Sequence, residues 1–243
     1  MTTGRTLLQV SNVTKSFGGL VAVNGMNFDV KEHEVMGIIG PNGSGKTTMM
    51  NLISGALKVS SGTISLQGRR LSEMSADKIA QTGVARTFQL VRILPGLSIV
   101  ENVIAGAAFG HRRRWGNDAQ YFAEALLDRL GLADQMHQPT DSLTYIDHKR
   151  LELARALASE PEVLLLDEWL AGLNPTELQI GIELVSELRR EGRTIILVEH
   201  VMDAIRSLCD RCVVMNSGSK IAEGTPAEVL ADAEVIRAYL GDE

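Results

Sequence analysis

The chain is short of cysteine, with two in 243 residues, Cys209 and Cys212. That number excludes a disulfide framework, and one C-x-x-C pair supplies only half of a four-ligand zinc site. A redox pair needs a helix N-terminus to lower its thiol pKa, whereas this one lies between a helical stretch (Val201 to Leu208) and a strand (Arg211 to Met215). Both thiols are expected to fill core space. No apolar run approaches the ~18 residues that cross a bilayer, and the N-terminus lacks the long apolar core of a secretory signal. A cytosolic protein is expected, with any membrane role reached through a partner. Positive charge is not in excess either. The 24 Lys and Arg against 30 Asp and Glu leave a net charge of −6, which argues against a broad surface for nucleic acid or lipid. The length suffices to bury a full core as one domain or two closely joined ones.

What is present centres on Gly40-Pro41-Asn42-Gly43-Ser44-Gly45-Lys46-Thr47-Thr48. The apolar run from Val35 to Ile39 before it reads as a buried strand, and Thr47 to Ser54, closing at Gly55, as a helix. Strand, glycine loop and helix together fit the phosphate-cradling pattern G-x-x-x-x-G-K-[ST]. Glycines let backbone N–H groups turn inward around a polyphosphate, and the helix N-terminus adds its positive dipole end. Lys46 is expected to reach the β- and γ-phosphates, and the Thr47 hydroxyl to help hold Mg²⁺. The chain therefore reads as a binder of a nucleoside triphosphate.

Before that loop, Leu7 to Val23 alternates as short strands with a turn at Gly18-Gly19. Phe17 stands alone there, in what reads as a polar loop. It is either a core residue or, if exposed, a platform for an adenine ring. After the loop, Thr63 to Leu66 and Val84 to Phe88 read as strands, with Gln89 ending the second. From 90 to 160 helical periodicity takes over (Ser98 to Ala108, Asp118 to Leu130, Asp147 to Ala158), as in a helical insert. Its basic run His111-Arg112-Arg113-Arg114-Trp115 reads as a solvated face, with contact to lipid headgroups or a partner as the alternative. Strand character resumes at Val163 to Asp167. Pro175 opens a helix that Gly192 stops, and Thr194 to Val198 is a further buried strand. Alternating strands and helices mean a mainly parallel sheet with ligands at the strands' carboxyl ends. Gly40, Gln89, Asp167 and His200 all fall at such ends.

Asp167 suits Mg²⁺, directly or through water, and Glu168 suits the proton of an attacking water. Gln89 is within the pattern's reach of the metal or that water, and His200 of the γ-phosphate. An acidic pair after a strand is otherwise a solvated end, and a lone histidine a structural one.

In this order the residues resemble those of ATP-binding-cassette (ABC) ATPases: the phosphate loop, Gln89, Leu143 to Leu157, Asp167-Glu168, Ala171-Gly172-Leu173-Asn174 and His200. Leu151 to Leu157, Ala171 to Glu177 and Ala238-Tyr239-Leu240-Gly241 look most like the ATPase subunits of bacterial branched-chain amino acid importers. The resemblance covers nearly the whole chain. It implies an α/β P-loop NTPase core, mainly parallel with an N-terminal antiparallel part, divided as 1–89 and 161–243 around a helical subdomain, 90–160. It also implies ATP and Mg²⁺, transmembrane permease partners, a separate periplasmic binding protein and a place on the cytoplasmic face of the membrane. Two cassettes would sandwich two ATPs head to tail, each ATP facing the other subunit's signature segment. Phe17 would stack on adenine.

The signature departs from the family. Where Leu-Ser-Gly-Gly-Gln is usual, this chain has Leu143-Thr144-Tyr145-Ile146-Asp147. Ile146 stands where backbone approaches the partner's γ-phosphate, and crowding there costs roughly 1–3 kcal/mol. Asp147 either faces the phosphate, at a cost of a few kcal/mol near 4 Å, or caps the following helix, the preferred reading. Trp169 replaces a usual proline and is expected to pack. Asn174 replaces an aspartate and can still hydrogen-bond across a dimer. An intact loop beside a defective signature points to a heterodimer with a related cassette. A cassette acting on nucleic acid and a non-hydrolysing regulatory module are the rival classes.

Overall fold

The computed structural model describes residues 4–240; Gly241, the last residue of the motif near the end of the chain, lies outside them. The chain runs β1 (Thr6–Phe17), β2 (Leu20–Lys31), β3 (Val35–Ile39), α1 (Lys46–Ile53), β4 (Ser61–Leu66), β5 (Arg69–Arg70) and α2 (Ala76–Thr82). Next come β6 (Val84–Arg86), α3 (Ile99–Phe109), α4 (Gly116–Arg129), α5 (Tyr145–Ala158), β7 (Val163–Asp167), α6 (Pro175–Arg190) and β8 (Thr194–Val198). The chain closes with α7 (Met202–Leu208), β9 (Arg211–Asn216), β10 (Ser219–Gly224), α8 (Pro226–Ala231) and α9 (Ala233–Leu240).

Two sheets form. The smaller is antiparallel in the order β2-β1-β4-β5, and the larger runs β10-β9-β3-β8-β7-β6, parallel except for the β9–β10 hairpin. The opening strands are twelve residues each rather than short, because irregularities between Val10 and Val13 and around Lys15 absorb the breaks in alternation. Phe17 is the last residue of β1, paired with Leu20, and not a loop residue.

Strands β3, β7 and β8 are buried throughout, the mark of a parallel sheet covered on both faces. Their period-2 alternation sorts side chains between two cores. Ile195 and Leu197 join a cluster with α3, α4, α5 and α6, whereas Ile196 and Val198 join one with α1 and the antiparallel sheet. The helical stretch thus shares its apolar cluster with one face of the large sheet. Capping boxes start α3 (Ser98 with Glu101), α6 (Asn174 with Glu177) and α8 (Thr225 with Glu228). Asn174 therefore has its side-chain oxygen engaged in its own helix start.

Strand β6 stops at Arg86, short of Phe88, and Gln89 is three residues past its end. Thr87 N–H still bonds the Leu165 carbonyl at 2.9 Å; beyond it Glu152 of α5, buried, takes the N–H of Phe88 at 3.2 Å and that of Arg92 at 2.9 Å and holds the departing chain. Buried Asn102 of α3 then holds both the N–H and the carbonyl of Leu94 and the carbonyl of Ser98. Two polar side chains of the helical stretch thus anchor the loop that carries Gln89.

Candidate nucleotide site

The loop after β3 needs its glycines at defined points. Gly40 sits at φ 148°, and a Cβ there would lie 2.0 Å from the Met215 carbonyl oxygen; at Gly45, φ 102°, it would lie 2.5 Å from that of Ala22. Gly45 is also the N-cap of α1 and offers no side chain to the first-turn N–H groups, which leaves the dipole end open to an anion. Helix α1 begins at Lys46, one residue earlier than the pattern suggested. The Lys46 ammonium donates to the carbonyls of Gly40 at 2.8 Å and Pro41 at 2.9 Å. Burial lowers its pKa, while Glu168 and Asp167 pull it back up. Ser44 turns inward too: its hydroxyl is buried with no hydrogen-bond partner among the described residues.

A cavity of about 420 Å³ brings together Phe17, Asn42, Gly43, Gly45, Lys46, Thr47, Thr48, Gln89 and Glu168. Phe17 is 45% exposed at its rim beside Leu20. An adjoining cavity of about 200 Å³ joins Thr47, Gln89 and Asp167. Asp167 is 1% exposed; its Oδ2 accepts from Arg86 at 2.6 Å, and its Oδ1 has no partner among the described residues. Burial raises its pKa, and Arg86 opposes that rise. Glu168 is held from two sides. Gln89 Nε2 donates to Oε2 at 2.7 Å, and His200 Nε2 lies 2.9 Å from Oε1. Residues from β1, the β3–α1 loop, the segment after β6, the tip of β7 and the segment after β8 thus converge on one place.

The family model described as ABC transporter matches residues 23–171, and one described as branched-chain amino acid ATP-binding cassette transporter matches residues 219–243. The high-affinity branched-chain amino acid transport ATP-binding protein LivG of Salmonella typhimurium is 40% identical over 97% of this chain and 98% of its own length. BraF of Pseudomonas aeruginosa, with the same description, is 38% identical over 98% of this chain and 99% of its own. The chain belongs to the ABC transporter family. Among solved structures, an ATP-binding cassette of an ABC transporter matches with a TM-score of 0.88 and 29% identity, over 98% of this chain and all of that one. Another, a dimeric post-hydrolysis cassette bound to ADP and Pi, matches with a TM-score of 0.81 and 25% identity over 90% of this chain and 99% of that one. The protein is thus a nucleotide-binding ATPase cassette.

The segment expected from its resemblance to be the signature stands apart from these two cavities: none of residues 143–147 lines them. Thr144, not Asp147, caps α5, accepting the Asp147 N–H at 3.3 Å. Asp147 sits in the first turn with its carboxylate accepting from the Thr144 hydroxyl at 2.6 Å and from Arg150 at 3.0 Å. Threonine captured both roles because its hydroxyl reaches the third N–H of the helix and the carboxylate at once. Ile146 is buried, and Tyr145 donates to the Ala171 carbonyl at 3.3 Å. Trp169 packs, as expected, fully buried. Cys209 and Cys212 are buried free thiols, and Cys209 is pushed up by its hydrogen bond with Cys212 and by burial. The basic run is tied down at two points, His111 on the Gln81 carbonyl and Arg114 on Glu160 and Asp118. Trp115 stays exposed, edge-on to Phe109.

Sequence reading passed over Arg86, Lys149, Glu152 and Glu199. Each has its charged side chain buried, which is unusual for these residue types and which nothing in the local sequence marks. Burial pushes the Glu199 carboxyl up to about 7, against the pull of the Leu170 N–H and Lys149. Between the ordinary glutamate value of 4.5 and about 7, the unfolded chain releases this proton while the folded cassette keeps it. Stability should therefore fall as pH rises through that window and level off above it, by about 3 kcal/mol from this group. Glu199→Gln keeps an acceptor for Leu170 and should flatten the fall relative to wild type. Urea denaturation at intervals from pH 4.5 to 8 measures the difference.

Proposed function

We propose that this cassette hydrolyses Mg·ATP to power uptake of branched-chain amino acids, or a closely related small solute, through transmembrane permease subunits at the cytoplasmic face. The observation that carries the catalytic part is the Glu168 carboxylate, held between Gln89 and His200 at the mouth of the Lys46 loop; a module that only binds nucleotide has no use for it. In this reading Lys46 and the N–H groups of the loop bind the β- and γ-phosphates, and Phe17 stacks on adenine. Glu168 takes the proton of the attacking water, and His200 orients Glu168 and the γ-phosphate. Mg²⁺ fits the donor set, since the orphaned Asp167 Oδ1 shares a cavity with Thr47 and Gln89; these three residues would hold it. Once bound it would neutralise charge on the transferring phosphoryl group. Arg86, on the other carboxylate oxygen, keeps Oδ1 turned toward that cavity.

Residues 90–160 act as the unit that meets the permease. A groove of about 410 Å³, lined by Phe88, Leu94, Ala105, Phe109 and Arg155 among others, runs beside the loop that carries Gln89. A permease segment seated there would bear on that loop directly. The solute follows from likeness to LivG and BraF, whose names state theirs. The companion in the dimer is a second, related cassette, because Asp147 puts a paired carboxylate at the α5 N-terminus where a partner's phosphate would need an open dipole end.

Two measurements test the reading. The purified chain alone should hydrolyse ATP slowly, and addition of a related cassette should raise turnover at least tenfold; full turnover alone, unchanged by the companion, rejects the heterodimer. In vesicles carrying the permease subunits and binding protein, uptake of labelled leucine, isoleucine or valine should require both Mg²⁺ and ATP. Uptake of none of the three would reject the solute.

A further inference from the structure

We propose that Lys149 is a positioning residue for the Glu168 carboxylate, acting through the backbone turn that carries it; this rests on Glu168 as the general base. Glu168 is a non-glycine residue in the left-handed region, φ 49°, a conformation that costs free energy unless its surroundings hold it. The holding groups can be named. Glu168 N–H donates to the Val198 carbonyl at 2.8 Å, and its carbonyl accepts from Ala171 N–H at 3.1 Å. The Lys149 ammonium, on α5, then reaches across to the Glu168 carbonyl at 3.3 Å and the Trp169 carbonyl at 2.8 Å. Trp169 answers in kind: its indole Nε1 donates to the Lys149 carbonyl at 3.1 Å. Each side chain is bonded to the other's backbone, so the two segments are locked in register.

Lys149 is 1% exposed and Trp169 fully buried. A lysine is costly to bury unless its charge is met. Here two carbonyls and the face of Tyr145 at 5.1 Å meet it. Glu199 in turn accepts the Leu170 N–H at 2.6 Å, so three consecutive residues after β7 are fixed by buried polar groups. Helix α6 leaves room for both Leu170 and the indole, since a Cβ on Gly181 would lie 2.6 Å from the Leu170 side chain and 3.2 Å from the ring. Trp169 thus both fills this space and supplies a donor. The clamp also makes α5, whose N-terminus is the signature segment, the part that sets where the carboxylate points.

The test uses the full chain assembled with its companion cassette and permease. Lys149→Met should lower kcat at least tenfold while KM for ATP and ATP affinity stay within twofold of wild type. Lys149→Arg, which keeps donors at that place, should recover most of the loss. A kcat within twofold of wild type in Lys149→Met, affinity falling in step with kcat, or Lys149→Arg as slow as Lys149→Met would each overturn the assignment. Should Lys149→Met not fold, Trp169→Phe decides in a sample that thermal unfolding shows to be folded, because it removes the Nε1 donor, together with part of the buried ring. A several-fold lower kcat at unchanged ATP affinity supports the clamp, and unchanged kcat overturns it. Loss of Mg·ATP turnover in the wild-type assembly is a different result, which would sink the proposed function itself.

Discussion

Glu168→Gln should leave ATP bound and reduce its hydrolysis by a factor of about 10² to 10⁴, the range that a positioned general base contributes. The substitution is nearly isosteric, so the left-handed turn, the Val198 bond and the Lys149 clamp need not move. What changes is chemistry. Both carboxylate oxygens now accept, one from Gln89 at 2.7 Å and one facing His200 at 2.9 Å. An amide has only one acceptor oxygen and no basic lone pair, so it takes no proton from water. One of the two neighbours then faces an N–H group, and the site loses part of its order as well as its base. Phosphate release at saturating Mg·ATP and equilibrium nucleotide affinity should be measured together. Turnover within twofold of wild type would reject Glu168 as the base; loss of affinity in proportion would show that the variant had damaged binding instead.

Much of this could be read from the chain because the relevant signals are local. A glycine loop between an apolar strand and a helix specifies its own geometry, and Thr194 to Val198, apolar from Ile195 on, has the strand bounds expected of it. The convergence of Gln89, Glu168 and His200 followed from one rule, that ligands gather at the carboxyl ends of parallel strands. What escaped is non-local. Nothing in the local pattern around Phe88 says that β6 ends at Arg86 or that Glu152, 64 residues on, takes the Phe88 N–H. The α5 start, with Thr144 as its cap, is hidden from the local sequence for a related reason. Thr144 and Asp147 are both capping residues by type, and only the backbone decides which one stands outside the helix. Buried charges were the largest gap. Arg86, Lys149 and Glu199 look like surface residues in composition, and their partners lie 81, 20 and 29 positions away.

Lys46→Ala should weaken nucleotide binding at least a hundredfold, and the reason lies in what the ammonium is already doing. It is 5% exposed and donates to the Gly40 and Pro41 carbonyls, so its side chain is folded along the loop that lines the cavity. Burial works against its charge, and the two acidic residues opposite sustain it. A polyphosphate entering that cavity meets Glu168 on its wall and Asp167 in the adjoining cavity, so without a cation it would face uncompensated repulsion. Two of the ammonium's three N–H groups serve the Gly40 and Pro41 carbonyls, so it has one charge-assisted hydrogen bond to give, about 1.5–3 kcal/mol, which with the compensated repulsion corresponds to the expected loss. Lys46→Arg should not rescue it, because a planar fork cannot occupy the compact space between two carbonyls that a rotating ammonium fills. Titration with a fluorescent ATP analogue in Mg²⁺, alongside thermal unfolding of the same samples, separates lost affinity from lost fold. Affinity within threefold of wild type in a folded Lys46→Ala protein would mean that the triphosphate is not seated on this loop.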